Sequence, residues 1–236
     1  MNTFDLATLS LLNQLAQRSS TFDLTMVAIS SLDLVKGYLI VPLLWWAWFR
    51  SDPNSLRDRE LVLSILLACL ASLCISRSLQ VILPFRPRPI DAPDLAFTVP
   101  YSMGPRSHDS WSSFPSDHAT MFFALATGLF FLSRYIGALA LTHAVFVICI
   151  PRIYVGLHYP TDIIAGAFIG SGIAYVANTY IHKLRIVLDP ILRWNRRNPG
   201  GFYACLFILT SFMVNEFWEL RRIASYIFKA LGGLSP

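Results

Sequence analysis

Residues 135–182 read YIGALALTHAVFVICI PRIYVGLHYPTD IIAGAFIGSGIAYVANTYIH, two apolar blocks on either side of a polar island. A helix that crosses a bilayer needs about 20 mostly apolar residues. The flanks therefore read as membrane helices and the island, Pro151 to Asp162, as the turn between them. That island carries Arg152, His158 and Asp162. Ionisable groups at a membrane edge are costly, so they point to function by default. A cation, an imidazole and a carboxylate in that order can hold an anion, attack it and orient the attacker. The structural account of the same residues is an interfacial Arg, an isolated His and an Asp in the first turn of a helix. A second constellation upstream favours function.

The apolar pattern extends outward from this stretch. Across 236 residues, 55% are hydrophobic and 14% charged, with a mean hydropathy of +0.53. A soluble domain would carry nearly twice that charge. Blocks suited to crossing lie at 34–49, 61–83, 114–133, 135–151, 162–182 and 201–219. They predict an all-α fold, a polytopic membrane helical bundle of about six transmembrane helices. Residues 4–32 mix apolar stretches with Asp5, Asn13, Gln14, Arg18 and Asp23, and predict N-terminal amphipathic helices lying at the interface. The organisation expected is an interfacial region over 1–33, a membrane domain over 34–220 with its motifs within 77–162, and a C-terminal tail over 221–236. No internal repeat is visible. Met1 to Ser20 lacks the basic-then-apolar layout of a cleaved signal peptide, so the first span would serve as an uncleaved signal.

Charge placement gives an orientation. Arg50, Arg57, Arg59, Arg134, Lys183, Arg185, Arg193, Arg196 and Arg197 fall on one side of the expected topology. By the positive-inside rule that side is cytoplasmic. Segments 84–113 and 151–161 then face outward with both termini, although Arg221, Arg222 and Lys229 in the tail run against the rule. The net charge of +5 has no basic cluster on a soluble fold, so no nucleic-acid partner is expected. Cys69, Cys74, Cys149 and Cys205 sit singly inside apolar blocks without metal-ligand spacing and read as small hydrophobes. No metal or cofactor site is expected.

Two more polar clusters converge on the outward side. In Arg86-Pro87-Arg88-Pro89 the alternating prolines stiffen an extended strip that projects its guanidiniums. A guanidinium suits bidentate phosphate binding, while an interfacial, snorkelling Arg is the alternative for Arg86 above all. Phe114-Pro115-Ser116-Asp117-His118-Ala119 opens the third block. Ser116, Asp117 and His118 there lie beside the free N–H groups of a helix start, which favour an anion. A His in that place can protonate a leaving oxygen. At Pro160 a second helix is expected to begin, with Asp162 in its first turn holding one nitrogen of His158.

Arg-Pro, then Pro-Ser-x-His, then Arg-x5-His-x3-Asp resembles the three-part signature of the type 2 phosphatidic acid phosphatase superfamily. The resemblance covers about residues 77–175, and its wording at 114–119 is similar to bacterial undecaprenyl-diphosphate phosphatases. It implies a membrane phosphatase domain over 34–220 acting on a membrane lipid phosphate substrate in the lipid bilayer. It implies His158 as nucleophile, Asp162 as its orienting carboxylate and His118 as acid for the leaving group. Arg88, Arg152 and Ser116 match the phosphate-binding positions, with the Asp117 backbone N–H beside them. Two positions depart from the pattern. The family's first motif opens with Lys seven residues before the Arg, where this chain has Val81. Arg77, one turn earlier, is the candidate replacement, starting about 6 Å further away. Pro151 stands where the family usually has Ser.

The leading reading is hydrolysis of undecaprenyl diphosphate to the monophosphate through a metal-free phosphohistidine, at the outer face of a bacterial plasma membrane. Alternatives are a lipid phosphotransferase, a phosphatidic acid or other lipid monophosphate phosphatase, and a catalytically degenerate lipid-binding protein. Other residues carry structural expectations. His143 and His182 read as a core and an interfacial histidine. Trp45, Trp46 and Trp48 read as an aromatic belt, and Gly166, Gly170 and Gly172 as close helix packing. Arg106, His108 and Asp109 read as a solvated loop beside Trp111. Oligomeric state leaves no trace in the sequence.

Overall fold

The fold comes from a computed structural model that describes residues 2–38, 40–51, 55–101, 103 and 111–214. Its helices are α1 (Thr3–Asn13), α2 (Ser20–Ser31), α3 (Asp33–Lys36), α4 (Val41–Phe49), α5 (Ser55–Ile82), α6 (Asp117–Leu132), α7 (Arg134–His143), α8 (Ile150–Tyr154), α9 (Pro160–Thr179), α10 (Ile181–Arg197) and α11 (Pro199–Val214). A wide π-helical segment, Ala144–Cys149, joins α7 to α8 without a break. At 28 residues, α5 is the longest, about 42 Å at 1.5 Å per residue. It packs on α6 and α9, and α6 in turn carries α7. Val62, Ile65, Leu66 and Cys69 of α5 meet Ala119, Phe122 and Leu129 of α6 in one continuous core.

The α6–α9 contact positions everything that follows, and glycine makes it. A Cβ on Gly166 would sit 2.5 Å from the Ser116 carbonyl oxygen, and one on Gly170 would overlap the Thr120 carbonyl. Bare backbone lets the two helices touch. Gly172 faces open space, so the expected packing role holds for the first two glycines only. Local signals fix both starts. The Ser116 hydroxyl caps α6 by accepting the Ala119 N–H at 3.4 Å, and Pro160 opens α9 where no N–H is needed. The Ser116 N–H then donates to the Asp162 carbonyl at 3.1 Å, pinning one helix start to the other.

Among the described residues, three helical stretches are long and apolar enough to cross a membrane: Ser55–Ile82, Arg134–Tyr154 and Pro160–Thr179. Asp117–Leu132 and Pro199–Val214 are shorter apolar helices. An unbroken span over 34–49 is not found, because that segment divides into α3 of 4 residues and α4 of 9. The chain from α2 to α4 meets its neighbours at successive levels of the bundle. Asp23 on α2 meets Tyr154, Val35 on α3 meets His143 midway along the neighbouring stretch, and Trp48 on α4 meets Arg59 near the start of α5. The end of α3 leaves carbonyls without helical partners, and His143 Nε2 satisfies one by donating to the Val35 carbonyl at 2.9 Å. His143 is a core residue, as expected, and His182 is exposed.

The N-terminal helices also differ from the expectation of polar faces turned to water. Asp5 and Asp23 are both fully buried. Asp23 accepts the Tyr154 hydroxyl, the Gln17 N–H at 3.0 Å and the Tyr101 N–H at 2.7 Å, which fastens α2 to α8. Burial of a carboxylate is affordable only with such partners. The three tryptophans split: Trp48 is wholly buried against Phe202, while Trp46 is half exposed with Arg50 stacked on it. Cys69 and Cys149 are buried, Cys74 and Cys205 exposed, and all four are free thiols. Arg106, His108 and Asp109 and the tail 221–236 lie outside the described residues.

Candidate active site

The end of α5, the starts of α6 and α9 and the end of α8 meet at one end of the bundle. The basic residues expected inside gather at the other, where Arg50 pairs with Asp58 at 3.6 Å and Arg185 with Glu60 at 3.3 Å. Between α8 and α9 the chain turns on Gly156, whose φ of +74° is left-handed and whose Cβ would strike the Phe97 ring at 2.6 Å. That turn returns His158 to the bundle, where it is 4% exposed. Its Nδ1 lies 2.9 Å from the Ser113 carbonyl oxygen and 3.7 Å from Asp162 Oδ2. A carbonyl can only accept, so Nδ1 carries the proton and Nε2 keeps its lone pair. The bond expected from Asp162 is therefore made by the Ser113 carbonyl, and Asp162 stands just beyond it. The reason is local, since Asp162 is already engaged: Oδ2 accepts the Tyr159 N–H at 2.8 Å and Oδ1 accepts Arg86 at 2.5 Å.

His118 occupies the second position of α6. Its Nδ1 is 3.2 Å from Asp117 Oδ1, and its own N–H donates to the same oxygen at 2.9 Å. The other Asp117 oxygen pairs with Arg77. The Ser116 N–H on the Asp162 carbonyl and the Ser113 carbonyl on His158 bring the two histidines to the same end of the bundle. Arg77 also donates to Gln80 Oε1 at 3.1 Å and lies over the Trp111 ring, and Gln80 donates to the Pro115 carbonyl at 2.8 Å. The face of α5 turned to the site is thus Arg77 and Gln80, whereas Val81 is 70% exposed. Arg77 reaches the site, as the sequence suggests, but it does so through the Asp117 carboxylate.

Arg152 is 2% exposed and donates to the Ile148 carbonyl at 3.2 Å within the wide turn before it. Pro151 supplies a reason for that turn, because a helix-interior proline lacks an N–H and its ring crowds the carbonyl four residues back. Arg88 is half-buried and immediately precedes the short turn Pro89–Asp91. Next to it the Ile90 N–H donates to the Gly156 carbonyl at 3.0 Å, so the Arg-Pro strip is tied to the turn that carries His158. The strip also pairs with the chain ahead of α6, with Ser113 N–H on the Arg86 carbonyl at 2.9 Å.

Sequence reading missed Tyr159, Ser113 and Asp5, and it placed Arg86 in the Arg-Pro strip without its partners. Arg86 is no snorkelling cation: it bridges Asp162 and Asp5, donates to Thr161 Oγ1 at 2.9 Å and covers the Tyr159 ring at 4.0 Å. Burial raises the Tyr159 phenol above its ordinary value, opposed by Arg86 and helped by Asp162 and Asp5, so this ring stays neutral beneath the guanidinium. Ser113 contributes only a backbone carbonyl, which no side-chain pattern could reveal. Asp5 had a signal, an acid inside the apolar run Phe4 to Leu12. Among the described residues, no group of three or more His, Cys, Asp or Glu is arranged to hold a metal ion.

Comparison with known proteins now bears on this site. The family description for the PAP2 superfamily matches residues 60–186, more than half of the chain and all three motifs. The chain belongs to the PAP2 superfamily. Among curated PAP2 relatives, it is 27% identical over 179 residues to the undecaprenyl-diphosphatase BcrC of Bacillus subtilis (strain 168), covering 76% of this chain and 85% of that one. It is 26% identical over 171 residues to the putative undecaprenyl-diphosphatase YbjG of Escherichia coli (strain K12), covering 72% and 79%. A shorter match, 43% identical over 63 residues, joins 27% of this chain to 30% of the bacitracin transport permease protein BcrC of Bacillus licheniformis. Among solved structures, Aquifex aeolicus LpxE superposes with a TM-score of 0.55 at 28% identity, over 76% of this chain and all of that one. The PAP2 match begins at residue 60, so α1, and Asp5 with it, lies outside the matched segment.

Proposed function

We propose that this integral membrane protein is a phosphatase that hydrolyses undecaprenyl diphosphate to the monophosphate through a phosphohistidine on His158. The observation that carries the reading is the Nδ1–Ser113 hydrogen bond of 2.9 Å, which leaves the His158 Nε2 lone pair for attack. In the first step Nε2 bonds to the terminal phosphorus and the bond to the bridging oxygen breaks. His118 gives that oxygen its proton, and the lipid monophosphate departs. In the second step His118 takes a proton from water, the water oxygen bonds to phosphorus, and the P–N bond breaks to release inorganic phosphate. Arg88 and Arg152, with Ser116 and the Asp117 N–H at the α6 start, hold the phosphoryl oxygens as charge builds. Asp162 supplies negative charge near the His158 ring, and Arg77 holds Asp117.

The substrate is argued from two undecaprenyl-diphosphatase relatives and from the Pro115-Ser116-Asp117-His118 wording. A site at the bundle end lets a long apolar tail stay in lipid while the diphosphate meets the arginines. We read α6, α11 and the stepped path from α2 to α4 as further crossings, six in all. The enzyme would lie in the bacterial plasma membrane with this site outside.

The test is phosphate release from undecaprenyl diphosphate by the purified protein in excess chelator. Turnover unaffected by chelator, abolished by His158→Ala and accompanied by label trapped on His158, is the expected result. Activity that survives His158→Ala would reassign the nucleophile. Label passing to an acceptor lipid instead of water would make the enzyme a phosphotransferase.

A further inference from the structure

We propose that Asp5, in the first turn of α1, is a positioning residue of the phosphatase site that acts through Arg86 on Asp162. The inference rests on the phosphatase reading above. Asp5 is fully buried, and its carboxylate is held by Arg86 and Thr161 of the site wall. Oδ1 accepts the Thr161 N–H at 2.9 Å, and Oδ2 accepts the Thr161 hydroxyl at 2.7 Å and Arg86 at 2.6 Å. Thr161 N–H is one of the first free amides of α9, so Asp5 caps that helix from another part of the chain. The order of groups is carboxylate, guanidinium, carboxylate: Asp5, Arg86, Asp162.

That order has a consequence for His158. Arg86 occupies Oδ1 of Asp162 and so turns Oδ2 toward the Tyr159 N–H and the His158 ring, 2.8 Å and 3.7 Å away. Asp5 fixes the far side of the guanidinium. Without it, Arg86 would have one carboxylate rather than two, and its strip would lose an anchor. Because the Arg86 carbonyl accepts the Ser113 N–H, a shift of Arg86 also moves the residue whose carbonyl holds His158 Nδ1. Both supports of the imidazole thus trace back to a helix outside the PAP2 match. Asn2 in turn holds Asp5, accepting its N–H at 2.7 Å.

The experiment compares the full-length protein with Asp5→Asn, Arg86→Gln and the double variant, by steady-state phosphate release from undecaprenyl diphosphate in detergent micelles. Asp5→Asn keeps the size and loses the charge. The expected result is a tenfold or larger fall in kcat with KM within twofold, and a double variant no slower than Arg86→Gln alone. A scaffolding Asp5 would reduce folded yield and leave turnover per folded molecule unchanged. A kcat within twofold of wild type, or losses that multiply in the double variant, would overturn the inference while the phosphatase reading stands. If Asp5→Asn does not fold, Thr161→Val reads the same link, with at least a threefold fall in kcat expected and an unchanged kcat overturning it. A wild type inert on every lipid phosphate would overturn the phosphatase reading and this inference with it.

Discussion

At the residue scale, the site turns on which group holds which, and composition of the motif is only half of that. Arg77, one turn before the position where the family pattern has Lys, pairs with Asp117 of the second motif. Arg77→Ala would leave the buried Asp117 carboxylate without this counter-charge beside His118, the proposed acid. We expect a 10- to 100-fold loss of kcat in steady-state phosphate release, comparable in size to the catalytic effect of a misplaced general acid. Arg77→Ala combined with Asp117→Asn should recover part of that loss, because the stranded charge goes with its partner. If Arg77 instead contacts phosphate directly, the double variant will be worse than either single one.

At the scale of elements, the close approach of α6 and α9 is the joint on which both histidines depend. Gly170→Ala should destabilise by about 1–3 kcal/mol or more, since a methyl would meet backbone that has no alternative rotamer. Gly172→Ala, facing open space, should be near neutral. Thermal unfolding in detergent distinguishes the two. The buried link from α2 to α8 gives a second expectation: Tyr154→Phe removes a donor from buried Asp23 and should cost about 1–3 kcal/mol. The same unfolding measurement checks it, and a neutral Tyr154→Phe would show that Gln17 and Tyr101 suffice for Asp23.

At the scale of the whole molecule, the bundle has a chemical end and a basic end. Arg77, His118, Arg152 and His158 gather at the first, and Arg50 and Arg185 at the second. In cells, Asp94→Cys should react with a membrane-impermeant maleimide from outside, and Arg57→Cys should react only after permeabilisation, each in a background without Cys74 and Cys205. The reverse pattern would invert the orientation derived from positive charge.

Much of this protein was legible in its sequence because its signals are local. Apolar blocks near 20 residues announce membrane helices whatever they pack against, and Ser116 and Pro160 announce helix starts through their own backbone chemistry. Arg88, His118, Arg152, His158 and Asp162 stand out as candidates because ionisable residues are rare in such a chain. The division of 34–49 into α3 and α4 was not legible, since His143 completes the Val35 carbonyl from 108 residues away. Nor was the real partner of His158, a backbone carbonyl, or the burial of Asp5, whose cost is met by Arg86 and Thr161 from remote segments. The sequence by itself determined the all-helical, membrane-embedded character and the motifs by which the family is recognised. Only the tertiary structure decided which lone pair is free and which charges are already spent, because hydrogen bonds are chosen by distance in space and not by spacing along the chain.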